Sequence, residues 1–235
     1  MVHVDDHASK VGDEAKELLN YGPVISTNKI EKAVFLTKDF NPDVLIVDDG
    51  YQNPAFLKDL NILTIDSDRL FGNKMLIPAG PMREMASFAI ERADIIIAIG
   101  NKLISNNSFK KKIISYNKPF YQSLINLKTD FDLNKKYIAF CTIGNPKKFF
   151  TLLKKNGLVL HAEFAFPDHY CLTPKERMKL VTMANEYDCK LVTTAKDRVK
   201  LPENFEVITA EISLDFGNRR KELYEILDEK IFKKN

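Results

Sequence analysis

The sequence predicts an α/β fold, a mainly parallel sheet with helices on both faces, arranged as two α/β halves. Three observations carry this. Short β-branched runs alternate with amphipathic stretches along most of the 235 residues. The runs are near-continuously apolar, as strands covered on both faces are. Hydrophobic residues make up 45% of the chain and charged residues 29%, a globular balance with enough apolar material for a core.

The first expected strand is Val44-Leu45-Ile46-Val47, which ends abruptly in Asp48-Asp49-Gly50. Further strands are expected at Asn61–Asp66, Asp94–Ile99, Tyr137–Cys141, Val159–Phe166, Leu191–Thr194 and Phe205–Ile208. Helical patterns fill the gaps at Asn28–Phe40, Pro81–Arg92, Ser105–Ser115, Pro146–Asn156, Pro174–Tyr187 and Asn218–Lys230. Pro81, Pro146 and Pro174 are each placed in a first helical turn, where a missing N–H costs little. Thr173 reads as an N-cap, with Glu176 as its capping-box partner. The polar stretch Asn126–Lys136 has neither period and marks a boundary, giving domains over 1–126 and 127–235.

Composition narrows the function classes. The longest apolar run, Ala93–Gly100, falls far short of the roughly 18 residues of a membrane span. The acidic first twenty residues do not resemble a signal peptide. Cys141, Cys171 and Cys189 contain no C-x-x-C, so a reducing compartment without a disulfide framework is expected. A net charge of +3 does not argue for nucleic acid. Together these describe a soluble intracellular protein.

Several residues could carry chemistry. Ligands gather beyond the carboxyl ends of strands in open parallel sheets. Asp48 and Asp49 follow such a run, and their hard oxygen ligands suit Mg²⁺ beside a nucleotide; the alternative is a solvated turn. The segment Ile77–Glu84 delivers Arg83 and Glu84 into a helix's first turn, where Arg could clamp a phosphate or simply face solvent. In Phe166-Pro167-Asp168-His169-Tyr170 an acid beside a His could tune acid/base work, or form a surface turn. Gly12-Asp13-Glu14 offers an early carboxylate, as a base or at an acid-favouring helix start. Thr193–Asp197 leaves Lys196 and Asp197 at a strand end, for phosphate and ion contacts or within an N-cap region. The lysine clusters 110–112, 147–148, 154–155 and 233–234 are solvated faces or a surface for acidic head groups.

Seven motifs in order carry a resemblance: V-G-D-E (Val11–Glu14), V-D-D-G-Y-Q-N (Val47–Asn53), D-S-D-R-L-F-G-N (Asp66–Asn73), I-P-A-G-P-M-R-E (Ile77–Glu84), I-G-N-P-K-K-F-F (Ile143–Phe150), F-P-D-H-Y (Phe166–Tyr170) and T-T-A-K-D-R-V-K (Thr193–Lys200). Together they resemble the tetraacyldisaccharide 4'-kinase family of lipid A biosynthesis. The resemblance implies a P-loop-kinase-like fold with a second, smaller α/β domain. It implies ATP as co-substrate, Mg²⁺ as cofactor, a tetraacyldisaccharide 1-phosphate lipid as acceptor, and no nucleic acid. It places the protein in the cytoplasm, peripheral to the cytoplasmic face of the inner membrane. By motif, Asp48 and Asp49 match the acidic pair of the Mg²⁺–nucleotide site. Asp13 matches the carboxylate that activates the sugar hydroxyl, and His169 its partner. Gln52, Arg83, Glu84 and Lys196 match nucleotide- or substrate-binding positions.

The sequence also departs from the family pattern. No G-x-x-x-x-G-K-[ST] occurs, so a backbone phosphate cradle and its Lys are lacking. Ala15 stands where Pro is usual, Asn53 where His is usual, and Ala195 where an acid is common. The expectation is an N-terminally shortened kinase, weak or inactive alone, either a shortened reading of a longer gene or one complemented by a separately encoded N-terminal fragment. A non-catalytic remnant or lipid-binding module is the alternative.

Overall fold

The computed structural model describes residues 1–27 and 29–232. Asn28, the first residue of one expected helix, and the Lys233-Lys234 pair lie outside the described residues. The chain gathers into two compact units, each built from two stretches: Met1–Asn41 with Leu127–Ser213, and Pro42–Asn126 with Leu214–Asn235.

Three helices come first: α1 (Ala8–Val11), α2 (Asp13–Leu18) and α3 (Ile30–Phe40). Strands and helices then alternate through β1 (Ile62–Asp66), α4 (Ala86–Arg92), β2 (Ile95–Gly100), α5 (Asn107–Ile114) and β3 (Phe120–Leu127). The alternation continues with β4 (Lys136–Cys141), α6 (Pro146–Lys155), β5 (Val159–Ala165), α7 (Pro174–Glu186), β6 (Cys189–Thr194) and α8 (Ala195–Arg198). Strands β7 (Ile208–Ala210) and β8 (Ile212–Asp215) follow, then a 3₁₀ turn and α9 (Arg220–Phe232).

One sheet has the order β1-β2-β3-β8, with β1, β2 and β3 parallel. Successive side chains of a strand point to opposite faces. Ile96 and Ala98 of β2 therefore pack with Ile90 of α4 and Ile113 of α5, while Ile95 and Ile97 pack with Leu223 of α9. Full burial of each such Ile contributes roughly 1.5–3 kcal/mol. The other sheet, β5-β4-β6-β7, is parallel throughout and is covered in the same way. Tyr137, Ala139 and Cys141 of β4 meet Phe149, Phe150 and Leu153 of α6, and Ile138 and Phe140 meet Leu180 and Ala184 of α7. Pro146 and Pro174 each open a helix, and Thr173 forms the full capping box with Glu176. The α/β class with parallel, doubly covered sheets is as the sequence predicts.

Several elements differ from expectation. Val44–Val47 is not a strand: Ile46 is 88% exposed, and none of the described strands pairs with the run. An apolar run becomes a strand only when a neighbour takes up its N–H and C=O groups. Asp48 and Asp49 therefore do not stand at a strand's carboxyl end. Pro81 is not in a helix either, because α4 begins at Ala86. Residues 73–82 form a closed loop in which the Gly80 and Met82 amides bond to Leu76 and Met75, and the Asn73 side chain donates to Ala79. Those amides are spent within the loop, so Arg83 and Glu84 precede the helix. Strands β3 and β8 were not anticipated, and the expected Phe205–Ile208 strand begins only at Ile208.

Candidate functional site

Within the first unit, charged groups converge on Asp13. Gly12 precedes α2 at φ 94°, ψ 145°, a conformation that L side chains rarely adopt. That turn places Asp13 as the first residue of α2, 6% exposed. The Glu14 amide donates to Asp13 Oδ1 at 3.2 Å, as a helix start does for a carboxylate. His169, left-handed at φ 59°, puts Nδ1 3.0 and 3.1 Å from the two Asp13 oxygens. Its backbone N–H donates to the Thr142 carbonyl at 3.1 Å, just beyond β4.

Two lysines complete the cluster. Lys196 Nζ lies 2.6 Å from Glu14 Oε1 and 3.8 Å from Asp13 Oδ2. Lys200 Nζ lies 3.5 Å from Asp13 Oδ2 and 2.8 Å from Asp197 Oδ1. Burial pushes the Asp13 carboxyl up, but the Glu14 hydrogen bond, the Lys196 charge, the His169 hydrogen bond and the Lys200 charge outweigh it. Asp13 is held well below the usual carboxylate range. Burial likewise pulls Lys196 down, and its bond to Glu14 with the charges of Asp13, Glu14 and Asp168 reverses this, leaving it raised. Asp13, Glu14 and His169 also bring ligand-type atoms within 4.8 Å of one another. Two ammonium groups, those of Lys196 and Lys200, stand beside these carboxylates.

The second unit holds the other expected residues. Gly50 follows Asp48-Asp49 where a Cβ would sit 2.6 Å from Val47 Cγ1, so a side chain there forces the loop to shift. Arg83 Nη1 donates to both Asp49 oxygens at 3.0 and 2.9 Å. Glu84 accepts from Gln52 at 3.2 Å and from both Arg92 Nη atoms, and the Arg92 bonds, partly opposed by burial and aided by Gln52, hold its carboxyl low. The Arg92 guanidinium also lies over the Tyr51 ring, and burial pushes the Tyr51 hydroxyl up to about 12.

Asp13, His169 and Lys196 are thus brought together in one unit, and Asp49 with Arg83 and Gln52 with Glu84 in the other. Sequence reasoning named Asp197 beside Lys196 but missed Lys200 and Thr142. Lys200 closes an Asp-x-x-Lys spacing at the end of T-T-A-K-D-R-V-K, which reads as an ordinary surface pair until its burial is known.

The family model for tetraacyldisaccharide-1-P 4'-kinase matches residues 1–232. The chain belongs to that family. Among curated relatives, the tetraacyldisaccharide 4'-kinase of Rickettsia felis is 38% identical over 99% of this chain and 70% of its own length. That of Rickettsia africae is 39% identical with the same coverage. In fold, the chain is similar to the "apo" form of LpxK from Aquifex aeolicus crystallised in complex with ATP. The TM-score is 0.68 at 22% identity, covering 97% of this chain and 71% of that one.

Proposed function

We propose that the protein takes part in ATP-dependent phosphorylation of the 4' hydroxyl of a tetraacyldisaccharide 1-phosphate. The observation that carries this is the buried Asp13 carboxylate bonded to His169 in a member of the 4'-kinase family. In the reaction the 4' oxygen bonds to the γ-phosphorus of ATP, the bond from that phosphorus to the bridging oxygen breaks, and ADP leaves. The hydroxyl proton passes to Asp13, with His169 orienting the carboxylate and taking up the proton in turn. An acid held this low is a weak base, which suits a loose transition state in which positioning matters more than early proton removal.

Asp48 and Asp49 are exposed acids with only hard oxygen ligands to offer, a donor set that fits Mg²⁺. When bound, Mg²⁺ supplies charge neutralisation on the nucleotide phosphates. Gln52, Arg83, Glu84 and Lys196 are assigned to nucleotide or substrate contacts. The 235 residues hold no G-x-x-x-x-G-K-[ST], and the relatives extend beyond the matched 70% of their length. The phosphate cradle is therefore assigned to polypeptide outside these residues, on the same chain or on another. Among the described residues no helix is long and apolar enough to cross a membrane. Peripheral attachment to the cytoplasmic face of the inner membrane is proposed through basic surfaces such as Lys111 and Lys112.

The test is phosphorylation of the tetraacyldisaccharide 1-phosphate lipid in detergent micelles with Mg-ATP, by this chain alone and joined to a P-loop segment. Product is expected from the joined form, and Asp13→Ala or His169→Ala should lower its turnover about 100-fold or more with little change in ATP affinity. A joined, folded form that phosphorylates nothing sinks the reading. Saturable lipid binding without ATP binding would instead favour a lipid-binding module, a reading that the missing phosphate-loop motif supports.

A further inference from the structure

Lys200 is a charged neighbour of Asp13 with no role in the reaction above. Its side chain is 4% exposed, and three oxygens surround the ammonium: Asp197 Oδ1, Asp13 Oδ2 and the Thr142 hydroxyl. A buried ammonium is costly unless it is paired and hydrogen-bonded, and this one is both. Asp197, only 2% exposed, is equally constrained. It accepts from the Thr142 amide at 3.0 Å, the Thr142 hydroxyl at 2.6 Å and the Thr194 hydroxyl at 2.8 Å. Three pieces of chain therefore seat the ammonium: the end of β4, the N-cap of α8 and the turn after α8. Two of its three oxygen partners, Asp197 and Thr142, lie apart from Asp13.

Thr142 links this seat to the other side of the carboxylate, because its carbonyl accepts the His169 N–H at 3.1 Å. One buried residue thus contacts both the cation and the backbone of the His residue that flank Asp13. Lys196 differs, since its side chain is 20% exposed and its nearest partner is Glu14, itself half exposed. We propose that Lys200, seated by Asp197 and Thr142, is a positioning residue that holds the Asp13 carboxylate against His169. The proposal rests on the reading of Asp13 as the base.

The groups facing Asp13 are Glu14 and Glu17 from α2, Lys196 and Asp197 from α8, Lys200 after it, and Asp168 and His169 after β5. Removing the Lys200 charge leaves the acids of this set less opposed, so the Asp13 carboxyl must rise. The test is ¹³C NMR of the chain labelled at aspartate Cγ, with the Asp13 resonance assigned by its loss in Asp13→Asn. In Lys200→Met its titration midpoint should move up by about one pH unit, while Lys200→Arg keeps it near wild type. In an active joined form, Lys200→Met should lower kcat about a hundredfold with the ATP KM within about twofold of wild type.

A folded Lys200→Met whose Asp13 midpoint stays where wild type has it overturns the proposal. If Lys200→Met does not fold, Thr142→Val, which removes the hydroxyl shared by Lys200 and Asp197, should move the midpoint in the same direction. An unmoved midpoint in folded Thr142→Val overturns the proposal equally. If the midpoint moves but Asp13→Asn keeps full turnover, the base assignment fails while the hold on Asp13 stands.

Discussion

Asp13 shows how one side chain takes its properties from its neighbours rather than its type. An acid at 6% exposure would ordinarily favour the neutral form, yet an amide, an imidazole and two ammonium groups reverse the sign. The consequence for stability follows from linkage. The folded-state pKa is depressed relative to an unfolded value of about 3.9. The stabilisation is therefore fully present above that value and is lost as pH falls through it toward the folded pKa. The gap in unfolding free energy between wild type and Asp13→Asn should accordingly shrink between pH 5 and pH 3. Urea denaturation across that range checks this, and a gap that widens on acidification would contradict the charge arrangement. The dyad itself joins residues 156 apart in sequence. Nothing local at Gly12-Asp13-Glu14 or Pro167-Asp168-His169 announces the pairing, so it was legible only through the order of the family's motifs. The burial of Lys200 was not legible, because an Asp-x-x-Lys pair faces water more often than it is buried.

Among the elements, α7 is the one whose start was most fully written in the sequence. Thr173 accepts from the Glu176 amide at 3.3 Å, Glu176 Oε2 accepts from the Thr173 amide at 2.7 Å, and Pro174 begins the helix. Each of these is a contact within four residues, so a sequence window contains all of the physics. Thr173→Ala should cost about 1 kcal/mol of unfolding free energy at neutral pH, read from the urea midpoint. A loss under a few tenths of that would mean the cap is not formed in solution. Elements that depend on partners were harder to read. β3 is interrupted by Gln122, Ser123 and Asn126, and it is a strand because β2 offers it a parallel edge over Phe120–Leu124. Ile77–Glu84 looked like a helix entry, but Asn73 and Gly80 close residues 73–82 into a loop whose hydrogen bonds run backward along the chain. Doubly buried strands such as β2 and β4 were recovered almost to the residue, because both faces demand apolar side chains.

At the scale of the whole molecule, the two units repeat one solution, a mainly parallel sheet with helices on both faces and separate cores on either side. Val44–Val47 is outside that solution. Its composition is that of a central strand, yet all four residues are exposed and the run joins none of the buried clusters. The relatives extend beyond the 70% of their length that this chain matches, so a run apolar enough for a sheet need not find its cover within these residues. The energetic signature is a contrast between two isoleucines. Ile96 is fully buried, and Ile96→Ala should cost about 2–5 kcal/mol through lost transfer energy and the cavity left behind. Ile46 is 88% exposed, and Ile46→Ser should stay within about 0.5 kcal/mol of wild type in this chain. Urea denaturation of the two variants measures the contrast. If Ile46→Ser costs as much as Ile96→Ala, the run is packed into a core of these 235 residues. If it is silent here and destabilising once a P-loop segment is joined, the added polypeptide covers the run, and the apolar pattern that misled the sequence reading belongs to that larger sheet.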